Sequence, residues 1–217
     1  MYQLIIVDFD GVILESVAIK TEAYRDLLAA YPESIDRILE YHLENLGTSR
    51  FEKIHFIYDH ILRRDLSDGE FQGLLTRYAD LVLEKVLLAP FVPGALEFLE
   101  RFHRRLPLHI VSATPQDEIR FIVKERGLSP FFQGVYGSPG RKVDAMREIL
   151  GTTGTEPHRA LYVGDAPNDL QAAKAVGVRF VGRVGEGKED PFAGDRAVEK
   201  VVRDLHELRR YLEEQGC

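Results

Sequence analysis

The sequence predicts an α/β fold: a doubly wound parallel sheet with an all-helical segment inserted after its first strand. Two observations carry this. Short apolar runs alternate with stretches of about ten residues that have helical spacing. The runs are continuously apolar rather than alternating, as in strands covered by helices on both faces. A third observation places the insert: from residue 16 to residue 89 nothing reads as strand.

Taken in order, Tyr2–Val7 is the first strand, β-branched and apolar, and it stops at Asp8. Ile35, Ile38, Leu39, His42, Leu43 and Leu46 then share one helical face. A second face runs through Phe51, Ile54, Ile57, Tyr58, Ile61 and Leu62. Ser67 or Asp68 can start another helix ahead of Phe71, Leu74, Leu75, Tyr78 and Leu81. Pro93-Gly94 punctuates, and the alternation begins: helix 94–105, strand 108–111, helix 116–126, short strand 134–136, helix 142–150. Strand 160–163, helix 168–176, strand 178–181 and an amphipathic last helix, 203–215, complete it. The expected organisation is a core of residues 1–15 and 90–217, with a helical domain of residues 16–89 threaded through it and junctions near Glu15 and Ala89–Pro93.

Composition bounds the partners. Apolar residues make up 45% of the 217 and charged residues 29%, the balance of a folded globular chain rather than a disordered one. The net charge of −7 argues against binding nucleic acid or an anionic membrane, both of which want a basic face. The lone cysteine, Cys217, allows no internal disulfide, so a reducing, cytoplasmic setting is expected. The apolar run at Leu4–Val7 is short, and the run at Leu81–Val92 is interrupted by Glu84, Lys85 and Pro90, so no membrane or targeting segment is expected.

In an open parallel sheet, ligands bind outside the carboxyl ends of the strands. The polar residues that follow the strands are Asp8 and Asp10, then Ser112 and Thr114, then Asp165, Asn168 and Asp169, with Lys142 opening the helix after the third strand. Four carboxylates in one place need counter-charge. An all-oxygen donor set suits a hard cation such as Mg²⁺, and Lys142 adds a second positive charge. Ser112 can donate to a phosphate oxygen, and the backbone N–H groups of Phe9–Gly11, with Gly11 supplying the unusual backbone angles, can cradle an anion. Singly, each has a plainer reading: Asp-x-Asp as a solvated loop, Ser112 as a helix cap, Lys142 as a surface charge, Gly164–Asp169 as a capping turn. Together, in this chain order, they describe a phosphoryl-transfer site with a metal.

Asp8-Phe9-Asp10-Gly11-Val12, Ser112, Lys142 and Gly164-Asp165-x-x-x-Asp169 resemble the four motifs of the haloacid dehalogenase superfamily, whose core is a Rossmann-like fold. The insert resembles the helical cap of its phosphoglycolate phosphatase and β-phosphoglucomutase relatives. The resemblance implies that Asp8 is the nucleophile and that Asp10 protonates the leaving oxygen and then deprotonates water, with a raised pKa. It implies Mg²⁺ held by Asp8, the Asp10 carbonyl and Asp165, with Asp169 acting on the metal's waters or on Lys142, and phosphoryl oxygens held by Ser112 and Lys142. An acid at Asp10 points to a phosphatase or phosphomutase; resembling dehalogenases lack it, and phosphonatases carry a small residue there. Ala113 stands where many relatives have asparagine, which bears on substrate rather than chemistry. The expected activity is a Mg²⁺-dependent phosphatase acting on a small phosphorylated metabolite through an aspartyl-phosphate, as a monomer or homodimer. The rivals are a sugar phosphomutase and a catalytically silent binding protein.

Within the insert, Gly47-Thr48-Ser49-Arg50 resembles a cap loop whose arginine helps bind the far end of the substrate, and Arg50 and Lys53 lie about one helical turn apart. Lys20 is a further specificity candidate. The plainer reading is a helix cap followed by solvated basic residues. Gly182-x-x-x-x-Gly187-Lys188 nearly spells a phosphate-binding loop but runs into Glu189-Asp190-Pro191, with no Ser or Thr for a metal. Seven scattered histidines without cysteine partners argue against zinc. Phe91, Phe131 and Phe132 read as core.

Overall fold

A computed structural model describes all residues, 1–217. Six parallel strands form one sheet: β1 Leu4–Val7, β2 Leu108–Pro115, β3 Gly134–Ser138, β4 Ala160–Gly164, β5 Arg179–Arg183 and β6 Val198–Val202. Their spatial order is β3-β2-β1-β4-β5-β6, the order of Rossmann-type sheets, so β1 lies at the centre, where the winding reverses. Period-two alternation divides β1 between two apolar layers. Ile5 and Val7 face Phe98, Leu99 and Phe102 of α5 (Ala95–Phe102) and Leu205, Leu208 and Leu212 of α9 (Leu205–Glu214). Leu4 and Ile6 face Met146 and Ile149 of α7 (Lys142–Thr153) and Leu170 and Ala173 of α8 (Pro167–Val176). Helix α6 spans Gln116–Glu125.

No strand lies between β1 and β2; that stretch holds α1 Val17–Leu27, α2 Ile35–Glu44, α3 Arg50–Phe56 and α4 Asp68–Leu88. Ser49 and Ser67 cap α3 and α4, their hydroxyl oxygens accepting the N–H of Glu52 and Glu70 at 3.3 Å. The first apolar layer continues into these helices through Ile38, Ile54, Tyr78 and Val82. The two chain crossings lie side by side: Glu15 N–H donates to Pro90 O and Val92 N–H to Ile13 O, each at 3.0 Å. No helix is long and apolar enough to cross a membrane.

Three features depart from the expectation. β6 was not foreseen: Val198-Glu-Lys-Val-Val is a half-exposed edge strand whose charged middle hides its alternation. β2 runs on to Pro115 through an irregular register after Val111, so Ser112 and Thr114 lie within the strand rather than beyond it. Helix α3 passes into a π-helical turn, Ile57–Leu62, where its periodicity shifts and the chain then reverses at Arg63.

Candidate active site

The carboxyl end of β1 delivers Asp8, buried on leaving the sheet. The turn after it is held from inside: Phe9 O accepts from Ile13 N at 2.8 Å and Leu14 N at 3.1 Å, while Phe9, Val12, Ile13 and Leu14 are buried in the core. Lys142, the first residue of α7, donates to Asp8 Oδ2 at 2.7 Å and to Asp169 Oδ1 at 2.6 Å. Asp169 lies in the first turn of α8, its Oδ2 accepting the Ala166 N–H at 3.1 Å and its Oδ1 the Tyr162 hydroxyl at 2.6 Å. Asp165 completes a group in which one carboxylate oxygen each from Asp8, Asp165 and Asp169 lies within 4.8 Å of the others.

One ammonium does not neutralise three such carboxylates. Burial pushes Asp8 up to about 7 against the pull of Lys142, with Asp169 and Asp10 adding to the rise. Burial and the charges of Asp8 and Asp169 put Asp165 well above the usual carboxylate range. Lys142 is raised: burial opposes its charge, but Asp169 and Asp8 outweigh it. The donor set is all oxygen, so the chemistry of these residues fits a hard divalent cation.

Asp10 departs from the expectation of a raised pKa. Burial pushes it up, but the Lys20 ammonium, aided by the Ser16 and Thr114 hydroxyls, holds it below its ordinary value. Ser16 Oγ donates to Asp10 Oδ1 at 2.6 Å, while Lys20 and Thr114 (3.0 Å) both donate to Oδ2. Gly11 also differs. Its N–H donates to Leu14 O at 2.8 Å instead of facing an anion. Its part is steric: with φ at +75°, a Cβ there would stand 2.1 Å from Asp165 Oδ2. Ser112 is buried beside Asp8's strand end, its Oγ accepting the Thr114 N–H at 3.1 Å.

The helical segment closes over this edge. Asn168 Nδ2 donates to Thr48 Oγ1 at 2.5 Å. Arg50 donates through both prongs to Glu118 of α6, at 2.8 and 2.6 Å, with its guanidinium 4.5 Å from the Tyr78 ring centroid. Arg50, expected to face the far end of a substrate, is thus committed to a buried pair that joins the helical segment to the sheet layer. Between the two sides lies a cavity of about 60 Å³, with Asp8, Asp10 and Asp165 on one wall and Tyr24, His42 and Lys53 on the other. Tyr162, Glu118 and His42 were not singled out from sequence. Tyr162 carried the one visible signal, a polar tip in an apolar strand three residues before Asp165. Phe91 lies under the Arg126 guanidinium at 4.3 Å, a packing role.

A family model described as haloacid dehalogenase-like hydrolase matches residues 2–177, which span the whole of this constellation. The chain belongs to the haloacid dehalogenase-like hydrolases. Among curated members, phosphoglycolate phosphatase 1 of Pseudomonas aeruginosa is 25% identical over 95% of this chain and 78% of its own. A phosphorylated carbohydrates phosphatase of Thermotoga maritima is 23% identical over 97% of this chain and 100% of its own. The fold also matches a crystal structure from Haemophilus somnus 129PT, described as a predicted phosphoglycolate phosphatase, with a TM-score of 0.79 at 20% identity, covering 97% of this chain and 98% of that one. In this hydrolase, then, the residues at the strand ends meet as one acidic centre, Asp10 and Lys20 pair beside it, and Arg50 and Lys53 lie on the opposite wall.

Proposed function

We propose that this hydrolase is a phosphatase that cleaves a small phosphomonoester through a phosphorylated Asp8. The observation that carries the reading is Asp8 itself: a buried carboxylate at the end of the central strand, anchored by Lys142, facing a small cavity with a second carboxylate, Asp10, on the same wall. In the first step an Asp8 oxygen bonds to phosphorus, the bond from phosphorus to the alcohol oxygen breaks, and Asp10 gives its proton to the departing alkoxide. In the second, water attacks phosphorus, its proton passes to Asp10, and the Asp8–phosphorus bond breaks, returning both residues to their starting states. The Lys20, Ser16 and Thr114 contacts favour the ionised Asp10 that accepts the water's proton. A phosphate dianion beside Asp10 favours the protonated form that the first step needs, since like charge raises a carboxyl's pKa. Lys142 and Ser112 bind phosphoryl oxygens. Asp8, Asp165, Asp169 and the Asp10 carbonyl would hold Mg²⁺, which supplies neutralising charge to the phosphoryl oxygens when bound.

Residues 16–89 act as a lid on the core of residues 1–15 and 90–217, hinged at the paired crossings near Glu15 and Pro90. The size of the cavity favours a compact leaving group over a sugar phosphate, and with it hydrolysis over a phosphomutase. The names of the curated relatives support a phosphomonoester. A cytoplasmic setting agrees with the single cysteine.

Phosphate release from a panel of small phosphomonoesters tests the reading. Release is expected with Mg²⁺, is abolished by a chelator, returns with Mg²⁺ and returns poorly with Ca²⁺, whose longer and more numerous contacts disturb the attack geometry. Asp8→Asn is expected to fold and to release nothing. Near-normal turnover by Asp8→Asn overturns the covalent route, full activity in excess chelator overturns the metal, and a requirement for a bisphosphate primer without free phosphate favours the mutase.

A further inference from the structure

The lid side of the cavity presents three cations, Lys20, Arg50 and Lys53. Two are spoken for: Lys20 by Asp10, Arg50 by the Glu118 fork. Lys53 has no carboxylate within ion-pair distance, yet it is 3% exposed. Its Nζ hydrogen-bonds only to His42, lying 3.0 Å from the ring Nδ1 and 3.3 Å from the backbone oxygen, and it stands over the Tyr24 ring, 5.8 Å from the centroid. An ammonium has three donors, so one is left without a protein acceptor.

The hydrogen bonds behind Lys53 decide which way they run. The Thr21 hydroxyl spends its proton on Val17 O at 3.0 Å, so toward His42 Nε2, 3.2 Å away, Thr21 Oγ1 accepts. His42 therefore carries its proton on Nε2 and presents a bare Nδ1 to Lys53. Tyr24 packs on the imidazole with ring centroids 4.5 Å apart and holds it in place. The chain is polarised from Lys53 through His42 and Thr21 to a backbone carbonyl, and it positions the amine without neutralising it. Burial, together with the positive charges of Lys20 and Lys142, pulls Lys53 down to about 7 against the more distant pull of Asp165 across the cavity, and burial with Lys53 and Lys20 pulls His42 down to about 3. A buried cation without an anion is costly, and a ligand that brings one removes the cost.

The geometry points to Lys53, held by His42 and Thr21, as the residue that reads a carboxylate on the leaving alcohol of the substrate, the phosphoryl group lying at Asp8 across the same cavity. This rests on the phosphatase reading of the site. The cavity, about 60 Å³, is small, which suits an alcohol of two or three carbons in all, its carboxylate carbon included. Arg50 does not fill this role, because both its prongs already hold Glu118. Thr21 acts only through His42 and is a positioning residue.

The test compares 2-phosphoglycolate with 2-hydroxyethyl phosphate, which matches it in length and lacks the carboxylate. The wild-type protein is expected to prefer the acid in kcat/KM. In Lys53→Met the preference is expected to fall by about tenfold or more, mostly through KM for the acid, because a charge-assisted hydrogen bond is lost. Thr21→Val, which changes no charge, is expected to lower the same ratio by less. Calorimetric binding of 2-phosphoglycolate to wild-type and Lys53→Met protein gives a reading independent of turnover. If neither phosphate is hydrolysed, the phosphatase reading fails; Lys53-dependent binding then still supports the subsite, and equal binding overturns it. No preference in the wild type, or an unchanged preference in Lys53→Met, also overturns it.

Discussion

Replacing Gly11 by alanine separates backbone strain from damage to the acidic centre. With φ at +75°, Gly11 occupies the left-handed region, which costs an alanine about 1–2 kcal/mol. The added Cβ also stands 2.1 Å from Asp165 Oδ2 and 2.6 Å from its Cγ. To reach an ordinary contact of 3.4 Å, the carboxylate must retreat by about 1.3 Å. It is the free end of a side chain and can swing, so the fold survives while the acid leaves its place beside Asp8 and Asp169. A misplacement of about 1 Å at a reacting centre costs on the order of 10²-fold in rate. Gly127→Ala is the control: its φ is +70°, and nothing stands within 4 Å of a Cβ there, so it carries the strain alone. Both variants are expected to lose about 1–2 kcal/mol, a fall in Tm of roughly 2–8 °C for a chain of this size. Only Gly11→Ala is expected to lose about 10²-fold in kcat/KM in a phosphate-release assay, and to need more Mg²⁺ for half-maximal rate. Full activity in Gly11→Ala, or an equal loss in Gly127→Ala, refutes the assignment of Gly11 as the residue that makes room for Asp165.

Two further outcomes are expected. Arg50→Met leaves the largely buried Glu118 carboxylate without its partner and is expected to lower stability by about 2 kcal/mol in urea unfolding, while Arg50→Met with Glu118→Leu recovers most of it; full stability of the single variant would mean that the fork contributes nothing. His109 is buried in β2 with neither ring nitrogen hydrogen-bonded, and burial lowers its pKa. The folded chain keeps it neutral while the unfolded chain protonates it below about 6.5, so its contribution to stability is intact above that pH and is lost as pH falls toward the folded value. His109→Val is therefore expected to stabilise the protein by about 1 kcal/mol or more, by an amount that grows as pH drops from 7 to 5 in thermal melts; a constant difference across that range would refute the titration.

The amino-acid sequence by itself determined the winding and the acidic edge. Apolar runs such as Leu4–Val7 and Ala160–Val163 bury both faces, so they must be parallel strands under helices, and such strands put the residues that follow them at one edge. Asp8, Asp165, Asp169 and Lys142 were legible for that reason: each stands a fixed, short distance along the chain from an element whose periodicity is visible. β6 was illegible because an edge strand with Glu199 and Lys200 at its middle carries too little apolar signal. The state of the charges was decided only by tertiary structure. Arg50 and Lys53 are neighbours on one helix and look alike in sequence, yet Arg50 meets the Glu118 carboxylate, 68 residues away, while Lys53 meets no carboxylate, only His42 and the face of Tyr24. Asp10 is held below its ordinary pKa by Lys20 and by Thr114, which comes from a strand 104 residues further on. Local spacing sets where a side chain starts from; which partner reaches its charged end depends on how distant segments pack, and no pattern within one element records that.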